Sequence, residues 1–303
     1  MWGMKDIAPI LVIAGPTASG KSHLAERLAE RTGAWILNGD SLQVYAQMPL
    51  LTAQPHPLLP HHKLYSVMSV QDNCTAALWC EMVTEVIEEG RAQNIPLIIV
   101  GGSGLYLKSL MEGLSPIPDV PPEIRESARL LCEEKGVLHI HSLLAPEDQV
   151  RLKPTDTQRV LRAFEVLRSS GKSLQYWQAQ SPKPSPYSFV TVALMPPKSV
   201  LDSRIETRFR EMVEGGAMEE VRGLLKLNLS PSALRAIGVR ELQAYLVGEI
   251  SLEEAIQKAV IASRQYAKRQ LTWLRHQLVP DMVISEIPSK SAEDLVIERW
   301  FKK

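Results

Sequence analysis

The sequence predicts an α/β fold in which a parallel sheet is flanked by helices and interrupted by a helical insertion domain. Three observations carry this expectation. Apolar runs of strand length alternate with stretches of helical spacing through the first third of the 303-residue chain, the arrangement that builds parallel sheets with helices on both faces. The early strands end at Gly15, Gly39 and Gly101, so their turns gather at one edge, where such sheets bind ligands. Proline clusters at 116–122 and 182–186 bracket a stretch without strand-like runs, which reads as an insertion between two stiff hinges.

Taken in order, Ile10, Leu11, Val12, Ile13 and Ala14 form a buried strand. Gly15, Pro16, Thr17, Ala18, Ser19, Gly20, Lys21 and Ser22 follow as a complete G-x-x-x-x-G-K-[ST] loop. Leu24, Ala25 and Leu28 then recur with helical spacing. Strand, glycine-rich turn and helix make this a phosphate cradle and the sheet P-loop NTPase-like. Backbone N–H groups and the positive helix end surround an anion there. Lys21 is expected to reach terminal phosphate oxygens, and the Ser22 hydroxyl to ligate Mg2+.

Residues 34–38 predict a second strand, 75–92 a helix and 95–100 a third strand. A short helix follows the glycines at 101–104. Residues 115–187 are assigned to the insertion, and 1–114 with 188–303 to the core. A strand returns at 189–194, and from Ser199 onward the chain reads as mostly helical. Ser251 and Glu254 form a capping box. On the helix they open, Leu252, Ala255, Ile256, Ala259, Ala262, Tyr266, Trp273 and Leu274 are expected on one face. Arg264, Lys268 and Arg275 fall opposite them.

Composition excludes several classes. No apolar run approaches the ~18 residues that span a membrane, and no targeting segment is evident. Cys74, Cys80 and Cys132 lack C-x-x-C spacing, so a zinc site is not expected and reduced thiols of a cytoplasmic protein are. His56, His61 and His62 lie in a proline-rich stretch without neighbouring carboxylates and read as part of a loop. Formal net charge is zero, yet basic residues cluster. Five fall between Lys258 and His276 with no acidic residue among them, and six against two acidic ones lie between Arg151 and Lys172. Distribution matters more than the total for a polyanionic partner.

Asp40 follows the second strand and is expected beside the phosphate cradle, as a general base, a metal ligand or a helix cap. Loop and carboxylate together leave a small-molecule kinase and other diphosphate chemistry both open.

Eight blocks in order narrow the choice: GPTASGKS, DSLQVY from Asp40, TAQP from Thr52, GGSGLYL from Gly101, QRVLR from Gln158, RIETR from Arg204, RAIGVR from Arg235 and KRQLTWLR from Lys268. As a set, running from about Pro9 to His276, they resemble the tRNA dimethylallyltransferases. The resemblance implies transfer of a dimethylallyl group from dimethylallyl diphosphate to the exocyclic amine of the adenosine 3′ to the anticodon. It implies that the loop holds the prenyl diphosphate rather than a nucleoside triphosphate, and that Mg2+ assists. It implies further that Asp40 takes the amine proton and that Arg208 neutralises the departing diphosphate.

By the same resemblance, contacts to the tRNA anticodon arm fall at Asp40, Ser41, Leu42 and Gln43, at Ser103 and at Arg125. Further contacts fall at Gln158, Arg159 and Arg162, at Arg235 and Arg240, and at Arg264, Lys268, Arg269 and Arg275. Members often read GMDIGTAKP where this chain has QMPLLTAQP at 47–55. Ser22 and Ser103 replace commoner threonines and keep the hydroxyl. A kinase would need a nucleobase pocket and no paired basic clusters. A nucleic-acid-binding ATPase would need an acidic residue where the strand at 95–100 ends in glycines. A monomer is expected, since nothing marks an obligate interface.

Overall fold

The computed structural model describes residues 8–180, 182–286 and 289–302. Six strands form one parallel sheet: β1 (Ile10–Ala14), β2 (Trp35–Asn38), β3 (His62–Lys63), β4 (Leu97–Gly101), β5 (Phe189–Leu194) and β6 (Met282–Ile284), in the order β3-β2-β4-β1-β5-β6. β1 is central, with Leu11 facing Ile98 of β4 and Val190 of β5.

β1 is apolar throughout because both sheet faces are covered. Side chains alternate across a strand, so Ile10, Val12 and Ala14 join one core cluster while Leu11 and Ile13 join another. The second cluster includes Leu24 and Leu28 of α1 (Lys21–Thr32) and, from the chain's last helix, Val296 and Trp300. The first includes Trp79, Val83 and Ile87 of α2 (Ala76–Ala92). Thr75 caps α2 by accepting from Leu78 N. A third helix, α3 (Gly104–Glu112), follows β4.

Two compact units are distinguishable, one of residues 1–111 with 186–303 and one of 112–185. The second is all-helical: α4 (Pro122–Lys135), α5 (Val137–Ser142), α6 (Pro146–Arg151), α7 (Thr157–Ser170) and α8 (Leu174–Gln178). Its own core joins Val120, Ala128, Ile140, Val160 and Phe164. Buried Asp148 accepts from the Leu174 and Gln175 N–H groups, tying α8 to α6. In the first unit β5 leads to α9 (Lys198–Met212), α10 (Met218–Leu224), α11 (Val239–Leu246), α12 (Leu252–Gln277) and α13 (Lys290–Lys302).

The structure departs from the sequence reading in three places. β3 and β6 were not expected. They are edge strands of two and three residues, too short for a periodic signal, and exist because a paired neighbour supplies their hydrogen bonds. On α12 the capping box forms, but Val260, Ser263, Ala267 and Gln270 are buried while Ala262, Tyr266 and Trp273 are only half-buried. Arg264 also leaves the expected open face, packing on α9 with Nη2 3.0 Å from Glu206 and Nε 3.8 Å from Asp202. The wheel identified an apolar stripe but could not anticipate polar groups that find partners inside the fold.

The histidines are the third departure. His62 lies in β3, and its Nε2 is 2.5 Å from Glu26 of α1, with His61 Nε2 3.3 Å from the same carboxylate. The carboxylate missing from the local sequence is thus supplied through space. Glu26, His61 and His62 have the composition of a metal cluster. However, Leu59 N–H donates to His62 Nδ1 at 3.0 Å. That bond puts the ring proton on Nε2, where it serves Glu26 rather than a cation. The trio is a hydrogen-bonded clamp between α1 and β3.

Candidate active site

The ends of β1, β2 and β4 converge because they approach more closely than side chains allow. A Cβ on Gly101 would lie 2.0 Å from Gly39 O. Only glycine permits the Gly39 N–H to reach Val100 O at 2.7 Å. Above this seam lies a cavity of about 480 Å³ lined by the loop residues Thr17 to Ser22, Asp40, Gln43, Arg204 and Arg208.

Lys21 Nζ donates to Pro16 O at 2.7 Å, which folds the loop over its own lysine. Burial pulls the Lys21 ammonium down to about 8, opposed by nearby Asp40 and reinforced by Arg208. Ser19 is buried, and its Oγ has no protein partner among the described residues. An unpaired hydroxyl inside a cationic cradle is what an anion would satisfy.

Asp40 is held by its own backbone. Asn38 Oδ1 accepts from Asp40 N at 2.8 Å, Asn38 Nδ2 donates to Asp40 O at 3.0 Å, and Asp40 Oδ1 accepts from Leu42 N at 3.0 Å. Burial raises the Asp40 carboxyl above its ordinary value, while the Leu42 N–H, Lys21 and Arg208 oppose the rise. Arg208 projects from α9 and donates from Nη2 to Thr17 Oγ1. Its guanidinium is pulled down by burial and supported by Asp40. Arg204 donates from Nη1 to Ala18 O at 3.4 Å.

Beside this cavity, sharing Thr17, Asp40, Thr52 and Arg208 with it, is a smaller void of about 70 Å³. Leu42, Leu51, Ile205, Phe209, Met212 and Ile237 form an apolar side, and Thr17, Asp40, Thr52, Arg208, Ser263 and Tyr266 supply the polar remainder. A strongly charged chamber and a small one of mixed lining therefore meet at Asp40 and Arg208.

The other sequence-selected residues divide by their surroundings. Ser41 and Ser103 engage each other: Ser103 Oγ accepts from Ser41 N at 3.0 Å and lies 3.2 Å from Ser41 Oγ. Gln43 donates from Nε2 to Thr52 O and Ala53 O, bracing the unusual 47–55 segment at the cavity wall. That segment is also pinned by Glu220 of α10, which accepts from Leu50 N and Leu51 N. Leu42 lines the small void. Lys268, Arg269 and Arg275 are exposed on α12, and Arg235 and Arg240 are exposed nearby in sequence at α11. Within the helical unit, Arg125, Gln158 and Arg159 are exposed and Arg162 is half-buried, its Nη1 3.7 Å from Glu165.

Sequence reasoning missed Gln270, whose side chain reaches both Thr17 and Gly102, and the apolar residues of α9 that line the void. A glutamine inside a basic segment carries no signal of burial. Ile205 and Phe209 were visible only as an apolar i, i+4 pair.

Fold and cavity together define a P-loop-type α/β protein with a cavity lined by Lys21, Arg204 and Arg208 at the carboxyl ends of its strands. Residues 43–277 match the family model described as IPP transferase, and the chain belongs to that family. A tRNA dimethylallyltransferase of Chelativorans sp. (strain BNC1) is 46% identical over 280 residues, covering 89% of this chain and 96% of that protein. The tRNA dimethylallyltransferase of Mesorhizobium japonicum is 45% identical over 282 residues, covering 89% and 87%. Among solved structures, the full-length tRNA isopentenylpyrophosphate transferase of Bacillus halodurans is similar with a TM-score of 0.70 and 27% identity, covering 97% of each chain. A eukaryotic dimethylallyltransferase acting on tRNA has a TM-score of 0.73 at 25% identity, covering 90% of this chain and 71% of its own.

Proposed function

We propose that this chain transfers a dimethylallyl group from dimethylallyl diphosphate to the exocyclic amine of the adenosine 3′ to the anticodon in tRNA, releasing diphosphate. The observation that carries the reading is that a cationic phosphate loop and a small void with one apolar side, from Leu51, Ile205, Phe209, Met212 and Ile237, meet at one carboxylate, Asp40. A nucleoside triphosphate has no short hydrocarbon to set against Leu51, Ile205, Phe209, Met212 and Ile237, whereas a branched five-carbon group on a diphosphate uses both chambers. Membership of the IPP transferase family favours the same reading over a small-molecule kinase.

In this mechanism the loop N–H groups, Lys21 and Arg208 bind the diphosphate and take up the charge that grows as the carbon–oxygen bond breaks. The adenine amine attacks the same carbon, and Asp40 Oδ accepts the proton released as the carbon–nitrogen bond forms. An arylamine loses that proton only during attack, so Asp40 needs position more than basicity. Its fixed Asn38 and Leu42 contacts provide that position.

Mg2+ fits the residues present, because Ser22 and Asp40 contribute hard oxygens to the same cavity as the phosphate loop. When bound, the ion would offset charge on the diphosphate oxygens, with Ser22 holding it. The basic surfaces of the helical unit and of α12 are assigned to the anticodon arm, which would present its target base unstacked. A monomer is proposed, and a cytoplasmic setting suits the substrate. Among the described residues, no helix is long and apolar enough to cross a membrane.

Calorimetric titration with dimethylallyl diphosphate and with ATP tests the donor. Tighter binding of the prenyl diphosphate, followed by gain of a five-carbon unit on tRNA adenosine by mass spectrometry, is expected. Preference for ATP with no tRNA product would return the kinase reading.

A further inference from the structure

We infer that Gln270 is a positioning residue for the transfer step: its single amide fixes the leaving-group side of the site against the proton-accepting side. The inference rests on the proposed prenyl transfer and concerns a residue that the basic segment around it would otherwise assign to tRNA.

Gln270 sits on α12 between Lys268 and Arg275 but faces inward, only 6% exposed. Its Oε1 accepts from Thr17 N at 2.8 Å and its Nε2 donates to Gly102 O at 3.0 Å. These bonds require opposite polarity at the two ends of the amide, so the side chain has one orientation. From Thr17 the chain of contacts continues through Oγ1 to Arg208 Nη2. From Gly102 it continues through the next residue, Ser103, to the Ser41 N–H, adjacent to Asp40. One glutamine thus spans the β1 and β4 ends and bears indirectly on both Arg208 and Asp40.

Space is reserved for it. A Cβ on Gly102 would lie 2.2 Å from Gln270 Nε2 and 2.8 Å from Gly15 O. Tyr266, from the preceding turn of α12, lines the smaller void beside this position. Because the basic residues proposed for tRNA lie on the exposed side of the same helix, acceptor docking and donor geometry share one rigid element. Misplacement of reacting groups by even about 1 Å is enough to cost about 10²-fold in rate.

The test uses the full chain with two variants. Gln270→Met keeps the shape and removes both bonds, leaving the Thr17 N–H and Gly102 O unpaired. Single-turnover transfer is expected to fall at least tenfold, with tRNA affinity within about twofold of wild type. Gln270→Glu keeps an acceptor for Thr17 but, when ionised, faces Gly102 O with a second acceptor. A protonated carboxyl restores the missing donor. Its rate relative to wild type is therefore expected to recover as pH falls, a signature that loss of packing alone would not give. Lys21 and Asp40 at the strand ends, Arg208 on α9 and Tyr266 on α12 are titratable or charged groups of this site, and dividing by the wild-type profile removes their common contribution.

Wild-type transfer rates in Gln270→Met, or a loss confined to tRNA affinity, would overturn the inference. A flat Gln270→Glu ratio would also overturn it, as would Met and Glu variants that fail to fold at every pH. Amide exchange at Thr17, slow in wild type and accelerated in Gln270→Met, reads the bond without any catalysis. If wild-type protein makes no prenylated tRNA while Thr17 behaves this way, the functional reading fails and the structural link stands.

Discussion

Diphosphate binding should weaken above about pH 8, and Lys21 is the reason. The half-buried Lys21 lines the cavity beside Arg208, and desolvation there holds its ammonium down to about 8 from an ordinary 10.5. A bound polyanion supplies the counter-charge that burial removes, returning the group towards its ordinary value. If only the ammonium form binds, affinity should fall about tenfold between pH 7 and pH 9, and about tenfold again by pH 10. Burial raises the Asp40 carboxyl and lowers the Arg208 guanidinium, so Lys21→Met is the control that separates the lysine from both. Calorimetry with inorganic diphosphate in two buffers of different ionisation enthalpy counts the protons taken up. Uptake near zero at about pH 7 and near one at about pH 9.5 is expected for wild type, and none for Lys21→Met. The sign for folding is the reverse. Because the folded value is depressed, the unfolded chain binds more protons between about 8 and 10.5, and stability rises with pH across that window. Lys21→Met should therefore raise the apo melting temperature near pH 7, with the gain fading by about pH 10. Constant affinity to pH 9.5 without proton uptake would refute the argument.

Asp40→Asn preserves an acceptor for Leu42 N yet removes the base, so transfer should fall ~10² to 10⁴-fold while tRNA affinity stays within about tenfold. A rate above a tenth of wild type would remove Asp40 from the proton-accepting role. Gly101→Ala should destabilise the fold by at least about 1–3 kcal/mol, because its Cβ meets the Gly39 backbone rather than a movable side chain. Thermal melting checks this, and an unchanged midpoint would contradict the seam. Arg159→Ala with Arg162→Ala, and separately Lys268→Ala with Arg275→Ala, should each lower the salt dependence of tRNA binding by about two units of slope. Arg264→Ala should change the slope little, since that guanidinium is engaged with Glu206 and Asp202. Unchanged slopes in both double variants would mean that these residues face only solvent.

Much of this was legible in one dimension because the responsible physics is local. Strand, turn and helix around GPTASGKS follow from residues that are neighbours in the chain, and so does the Thr75 cap of α2. The fold class followed from alternating apolar runs, and the family from ordered motifs. The 26-residue α12 was visible from its cap and its periodicity. What remained hidden depended on partners distant in sequence. β3 and β6 become strands only when an already formed edge completes their hydrogen bonds. Glu26 reaches His61 and His62 across 35 and 36 positions. Arg264 turns from open surface to α9 because Asp202 and Glu206 happen to face it. Gln270 becomes the brace of the site because folding brings Thr17 within 2.8 Å across 253 positions. Sequence determined which chemistry the chain carries, since residue type and local spacing encode it. Tertiary structure decided which polar groups are spent on one another and which remain for a ligand, since that depends on distances no local pattern contains.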